Sequence, residues 1–348
     1  MTRTCAVVKI PPNGTSADRG DGHDAHPRAA KSRGTRPARL FLSNPRTGIP
    51  TAAGAVLALV GGAVLWSPAG RADAAPERTA ARAGGFTVVA AGDIAEKCTA
   101  SSSSCVHPKT AAQVEKIDPA FVLTMGDNQY DDARLKDFQK YYDTSWGAFK
   151  AKTHPVAGNH ETYDPAGKLA GYKSYFGSVA YPQGKSYYSF DHGNWHFVAL
   201  DSNSLNSTQT KWLKDDLAAN SKKCVAAYWH HPLFSSGEHG NQPVSRSVWK
   251  LLYDAKAELV LNGHDHHYER FAPQDADGKA DDKGLVELLA GMGGANPYKI
   301  EEVQPNSEKR LTKTFGVVKL NLTDDGFSWD LIGTDGKTKD SSPSYRCH

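Results

Sequence analysis

The sequence predicts an α/β layered domain with mixed sheets. From Gly84 onward, short runs rich in Val, Leu, Phe and Tyr alternate with amphipathic stretches, and polar turn clusters fold the last runs back as hairpins. Helices between strands favour parallel neighbours, whereas terminal hairpins add antiparallel ones. No internal repeat and no linker interrupts the pattern after residue 85, so one domain is expected over residues 85–348.

Strands are expected at residues 86–91, 121–125, 187–190, 196–200, 224–229, 258–261, 285–289, 315–322 and 327–332. Each is short, and several close on a glycine where the extended chain must turn. Asp191-His192-Gly193-Asn194 reads as the turn between the third and fourth strands, and Thr323-Asp324-Asp325-Gly326 as the turn between the last two. Helices are expected at 109–117, 133–142, 208–218 and 244–254. In the third, Trp212, Leu213 and Leu217 share a face while Lys211, Lys214 and Asp215 fall mostly on others, the pattern of a helix laid on a sheet.

At 348 residues, 39% hydrophobic and 23% charged, the chain is neither wholly disordered nor a multi-span membrane protein. Its net charge of +3 is uneven: residues 1–48 hold nine Lys and Arg against three Asp, which leaves the remainder at −3. That remainder has no basic, aromatic-interleaved patch, so nucleic acid is not an expected partner. Residues 1–48 are expected to be a disordered basic extension. Residues 49–74 read as a signal-peptide apolar region closing on the small-x-small site Ala72-Asp73-Ala74. A membrane anchor is the alternative, but Pro50 and four glycines weaken such a span, and no Arg-Arg pair signals twin-arginine export. The expected location is secreted or extracytoplasmic, with no stable membrane span after cleavage. Cysteine usage agrees: Cys98, Cys105, Cys224 and Cys347 remain outside the leader, without Cys-x-x-Cys spacing for zinc. The short loop makes Cys98–Cys105 the natural first disulfide and leaves Cys224 with Cys347.

Polar blocks recur after the strands, where open α/β sheets build their sites. They are Gly92-Asp93, Gly126-Asp127-Asn128-Gln129-Tyr130, Gly158-Asn159-His160-Glu161, His230-His231-Pro232 and Gly263-His264-Asp265-His266. Each alone is weak; five in order supply oxygen and nitrogen ligands for two divalent or trivalent ions, without thiolates. Asp127 is placed to bridge such a pair. Two metals about 3.5–4 Å apart can hold a hydroxide and clamp phosphoryl oxygens during in-line attack. His160, beside Asn159, is the candidate proton donor to the leaving oxygen.

The five-block order over 86–270 resembles the calcineurin-like metallophosphoesterases, specifically their purple acid phosphatase branch. The resemblance implies a four-layer α/β/β/α sandwich and a phosphoric ester hydrolase. It places Asp93, Asp127, Tyr130 and His266 on one metal, and Asp127, Asn159, His230 and His264 on the other. It also makes His160 the acid for the leaving group. Many of these enzymes open with Asp-x-His, but here Asp93-Ile94-Ala95 lacks the imidazole. The purple branch lacks it too and uses the tyrosine of the second block, although it usually has glycine where Ala95 stands. A phenolate ligand favours Fe(3+), paired with Zn(2+), Mn(2+) or Fe(2+). If Tyr130 only packs against the following helix, a manganese or zinc pair is expected instead.

The implied function is a secreted binuclear phosphatase that hydrolyses phosphate monoesters by in-line attack of metal-bound hydroxide. Its rivals are a phosphodiesterase with the same site and a non-catalytic extracellular binding protein that keeps the fold. Asn159 and His231 are candidate phosphate contacts. His239 lies on a loop that overhangs the site or faces solvent. His267 is expected outside the ligand set or on the surface, and Tyr268 and Arg270 are expected to orient the histidine loop. Gly291-Met292-Gly293-Gly294 resembles a strand end seen late in these domains. His107, His154, His192 and His196 are expected to be structural, Asp201 and Asn203 to support the site, and the stretch 275–282 to be a solvated hairpin tip.

Overall fold

The computed structural model describes residues 84–348; the leader expectations for 1–48 and 49–74 lie outside the described residues. The strands are β1 (Phe86–Ala91), β2 (Phe121–Met125), β3 (Thr153–Val156), β4 (Tyr188–His192), β5 (Trp195–Ala199), β6 (Cys224–Tyr228) and β7 (Leu259–Asn262). They continue with β8 (Tyr268–Phe271), β9 (Val286–Ala290), β10 (Ser307–Leu311), β11 (Gly316–Thr323), β12 (Gly326–Gly333), β13 (Thr338–Ser341) and β14 (Tyr345–Arg346). The α-helices are α1 (His107–Ile117), the short α2 (Leu135–Asp137), α3 (Ala170–Phe176), α4 (Ser207–Ala219) and α5 (Arg246–Asp254).

Two seven-stranded mixed sheets result, ordered β13-β12-β11-β1-β2-β3, with β14 also on β12, and β10-β8-β9-β7-β6-β5-β4. The parallel pairs β1–β2 and β2–β3 face the parallel run β5–β6–β7–β9 of the second sheet. Both faces of these strands are apolar. Val88 and Ala90 point into the core between the sheets, with Leu259 and Leu261 from β7. Val89 and Ala91 turn outward under α1 and α3, and Val260 turns outward under α4 and α5. Helices thus cover each sheet's outer face, and the four-layer sandwich implied by the resemblance is present.

Local chemistry explains the helix ends. Pro108 stands in the first turn of α1, which stops at Asp118 in the left-handed region (φ 47°). The Asn206 side chain caps α4 by accepting from the N–H groups of Thr208 and Gln209. Two expected helices are corrected. The segment 133–142 is the single turn α2 followed by a π-turn, Phe138–Tyr142. Ala133 sits at φ 47°, and the Gln129 side chain takes the N–H of Tyr142. The helix expected from Val244 starts at Arg246, because Pro243–Ser245 forms a separate tight turn. There the Ser245 hydroxyl donates to the His231 carbonyl.

Strands β3, β8, β10, β13 and β14 have no counterpart among the expected strands, and the bounds of the others differ by one or two residues. Cys98–Cys105 and Cys224–Cys347 are both formed, with Cα separations of 5.5 and 5.4 Å. Among the described residues no helix is long and apolar enough to cross a membrane.

Candidate metal centre

The ends of β1, β2, β3, β6 and β7 meet at one edge of the sandwich and bring the five blocks together. The turns there are tight. Gly126 stands at φ 84°, and a Cβ on it would lie 2.6 Å from the Gly158 nitrogen and 2.7 Å from His230 Nδ1. A Cβ on Gly263 would fall 2.5 Å from Asp93 Oδ2. The residues after the glycines share the bend: Asp93, Asp127 and His264 occupy the left-handed region at φ 59°, 46° and 75°. That backbone strain is typical of functional sites.

Each donor side chain is held at one end and bare at the other. Asp127 Oδ1 accepts the His160 N–H (2.9 Å), which leaves Oδ2 for the cleft. Asp93 Oδ2 accepts the His264 N–H (2.9 Å), which leaves Oδ1. His230 Nδ1 donates to the Met125 carbonyl (2.7 Å) and His266 Nδ1 to the Asn296 carbonyl (2.6 Å), so Nε2 of each is the atom turned to the cleft. The Asn159 amide donates to Tyr163 Oη (3.1 Å) and presents Oδ1.

The bare atoms form two groups that share one oxygen. Tyr130 Oη lies 3.1 Å from Asp93 Oδ1, 3.2 Å from Asp127 Oδ2 and 3.0 Å from His266 Nε2. On the other side of Asp127 Oδ2, His230 Nε2 lies at 3.2 Å. His230 Nε2 is 3.0 Å from Asn159 Oδ1 and 3.2 Å from His264 Nδ1. Asp93, Asp127 and His230 form a candidate metal-binding triad, as do His230, His231 and His264.

The chain's own charges fit a cation here. Burial and then the charges of Asp127 and Asp93 drive the Tyr130 phenol well above its ordinary range. Burial and the neighbouring imidazoles of His230, His231 and His239 hold His264 neutral. Burial would raise Asp127, but the adjacent His230 and His160 hold its carboxyl well below the usual range. Burial works against the charged form of His230, and Asp127 overcomes it, raising the imidazole to about 9. A cation at the shared oxygen would favour the phenolate and the free imidazoles together. All seven candidate ligands are thus brought together, with oxygen and nitrogen donors suited to hard and borderline ions.

His160 stands at the rim. Its Nδ1 donates to the Asp131 carbonyl (2.5 Å), its ring packs 4.3 Å from that of Tyr130, and Nε2 faces Asp127 Oδ2 at 3.9 Å. His231 lies beside the second group, its ring 4.5 Å from that of His264 and its Nδ1 bonded to the Ser202 hydroxyl (2.7 Å). Asn203 fastens the third block through its amide to the Gly158 carbonyl (3.1 Å), and Asp201 holds Asn203 in turn. His239 is exposed and also stacks on His264 at 4.3 Å.

One expectation for the histidine loop is corrected. Tyr268 and Arg270 turn away from it and bond to Asp340, which ties β8 to β13 of the other sheet. The reason is strand alternation once the block passes into β8. Of the two readings for His267, the one outside the ligand set holds: it is fully buried and paired with Glu269 (2.9 Å). The late glycine block closes the back of the first one: Gly293 donates to the Gly92 carbonyl and Ala295 to the Asp93 carbonyl, both at 3.0 Å.

Sequence reasoning missed two residues. Glu161 stands in the third block without an assigned role, yet its buried carboxylate accepts from the N–H groups of Asp127, Asn128, Gln129 and Gly158. Its place three residues after Gly158 is the signal that such a group could cap the turn. Tyr298 stacks on His266 at 3.9 Å and 10°. It lies in an irregular segment that carries no motif.

Residues 86–268 match the family model described as calcineurin-like phosphoesterase. With the sandwich and the shared-oxygen site, this shows that the chain belongs to the calcineurin-like phosphoesterase family. Within it, the chain is similar to purple acid phosphatases. Purple acid phosphatase 23 of Arabidopsis thaliana is 31% identical over 194 residues, 44% of this chain and 42% of that protein. Purple acid phosphatase 21 of the same plant is 32% identical over 240 residues, 62% of this chain and 54% of that protein. The chain spans about half the length of the curated relatives it matches. Among solved structures, purple acid phosphatase PPD1 from yellow lupin seeds superposes with a TM-score of 0.62 at 20% identity. That match covers 74% of this chain and 53% of the lupin one. GAP50, described as the anchor in the inner membrane complex of Plasmodium, shares the fold at a TM-score of 0.55 and 14% identity, covering 76% and 90%.

Proposed function

We propose that this protein is an exported phosphatase that hydrolyses phosphate monoesters at a binuclear metal centre. The observation that supports it is the two-sided convergence of bare donor atoms on Asp127 Oδ2, from Asp93, Tyr130 and His266 on one side and Asn159, His230 and His264 on the other. Asp127 with the first three would hold one cation and with the second three the other, as Fe(3+) with Zn(2+), Mn(2+) or Fe(2+). When bound, such a pair supplies Lewis-acid polarisation of phosphoryl oxygens and lowers the pKa of water enough to provide a nucleophile.

The chain supplies the rest. Backbone donors to Asp93 and Asp127 fix which carboxylate oxygen faces the cleft. His160, anchored through Nδ1, carries its transferable proton on Nε2 and delivers it to the departing alcohol oxygen. His231 stays neutral, since burial and then His230 lower its imidazole to about 3. With Nδ1 accepting from Ser202, its Nε2–H is the donor for a phosphate oxygen. Asn159 contacts the same group from the neighbouring loop. Export is supported by the apolar run 49–70 and by two disulfides, the bonds of an oxidising compartment.

The decisive experiment combines metal analysis and a visible spectrum with rates on p-nitrophenyl phosphate and its bis ester. Two metals per chain and a faster monoester reaction are expected, with a tyrosinate-to-iron band that Tyr130→Phe removes. Asp127→Asn loses metal and nearly all turnover, while His160→Ala keeps its metal and turns over about 10²–10³-fold more slowly. A metal-loaded protein inert toward every phosphoester would favour the binding-protein reading; faster diester hydrolysis would favour the phosphodiesterase.

A further inference from the structure

We propose that a cavity beside the metal centre is a subsite for a second anionic group, so that the preferred substrates are phosphate monoesters whose alcohol portion carries another phosphate. The proposal rests on the phosphatase reading above. The cavity measures about 450 Å³, room for a hexose-sized alcohol, and runs from His231, Thr162 and Asn203 to Lys168 and Lys173.

It adjoins the site. The Thr162 hydroxyl donates to the Asn159 carbonyl (2.7 Å), the Asn203 amide donates to the Gly158 carbonyl (3.1 Å), and His231 forms the shared wall. Among the described residues neither lysine has a carboxylate partner. Lys168 is exposed, and Lys173 rests its ammonium 4.0 Å from the Tyr181 ring. Asp201, the acid in this lining, is buried and spent internally, accepting from the Ser186 hydroxyl (2.6 Å) and from the Asn203 N–H (3.0 Å).

The His239 side of the site carries the other sign. Past His239 lies a cavity of about 370 Å³ lined by Glu238, Glu301 and Glu302. An anionic leaving group anchored at the centre is repelled there and drawn toward the lysines. This charge asymmetry gives an extended substrate one favourable direction.

The test uses the metal-loaded full chain and its ratio of kcat/KM for glucose 1,6-bisphosphate over glucose 6-phosphate. A ratio read on one preparation is independent of how much of it is folded. The expected ratio is about tenfold, beyond the twofold statistical factor, and shrinks as salt rises. In Lys168→Ala/Lys173→Ala it falls to about the statistical factor, and in Lys168→Arg/Lys173→Arg it is retained. A wild-type ratio near two, or an alanine variant that keeps the wild-type ratio, overturns the subsite while turnover of p-nitrophenyl phosphate leaves the phosphatase reading standing. Absence of turnover on p-nitrophenyl phosphate overturns both.

Discussion

Four backbone N–H groups, from Asp127, Asn128, Gln129 and Gly158, end on the buried Glu161 carboxylate. The second and third blocks are thereby tied to one side chain, which sets where Asp127 and Asn159 stand relative to each other. Glu161→Gln keeps the shape but turns an amide N–H₂ toward two of these donors, and each buried unpaired group costs about 1–3 kcal/mol. The expected result is a lower melting temperature and roughly 10–100-fold weaker metal affinity, measured by chelator competition. Wild-type metal affinity in that variant would count against the positioning role. The ligand candidates themselves were legible because strand-end motifs state their chemistry in residue type. Glu161 was not assigned, since a carboxylate that serves backbone amides looks the same in sequence as one that serves a metal. Tyr298 was hidden for another reason: stacking depends on an irregular loop returning to His266, which no periodicity encodes.

At the level of elements, strands buried on both faces announce themselves. Runs such as Val88-Val89-Ala90-Ala91 at the end of β1 are buried at every position and are apolar throughout. Edge strands do not: Ser307–Leu311 reads Ser-Glu-Lys-Arg-Leu and Thr338–Ser341 reads Thr-Lys-Asp-Ser, polar sequences that blunt a sheet margin. The turn entering β7 carries a titration of its own. Glu258 accepts from the N–H of Val225 (2.6 Å) and of His348 (3.1 Å), so it pins the chain end to the second sheet. Burial raises its carboxyl from 4.5 to about 7, although these backbone donors and Lys223 pull the other way. The folded state then holds a proton that the unfolded chain has released, so this group's contribution to stability falls as pH rises from about 4.5 to 7. Melting temperatures taken across that window in wild type and Glu258→Gln should show the variant with the flatter dependence; parallel curves would refute the assignment.

For the whole molecule, the ligand candidates come from both sheets: Asp93, Asp127, Tyr130 and Asn159 from the first, His230, His264 and His266 from the second. Cations bound there would brace the two halves, and removing them would lower stability by mass action, about 2.7 kcal/mol for a ligand held at a hundred times its dissociation constant. Chelation should therefore lower the melting temperature by roughly 5–10 °C in a domain of this size. Superimposable melts with and without chelator would argue against a cross-sheet site. The sheets are also joined through Tyr268, whose hydroxyl donates to Asp340 and accepts from Trp329 Nε1. A covalent tie reinforces them, since Cys224 opens β6 and Cys347 follows β14, a separation of 123 residues that removes about 5 kcal/mol of chain entropy from the unfolded state. The exposed Lys279 and Lys283 at the β8–β9 hairpin tip lie inside that ring. A trypsin cut there would not divide the molecule: the nicked chain should run as one band without reductant and as two fragments with it.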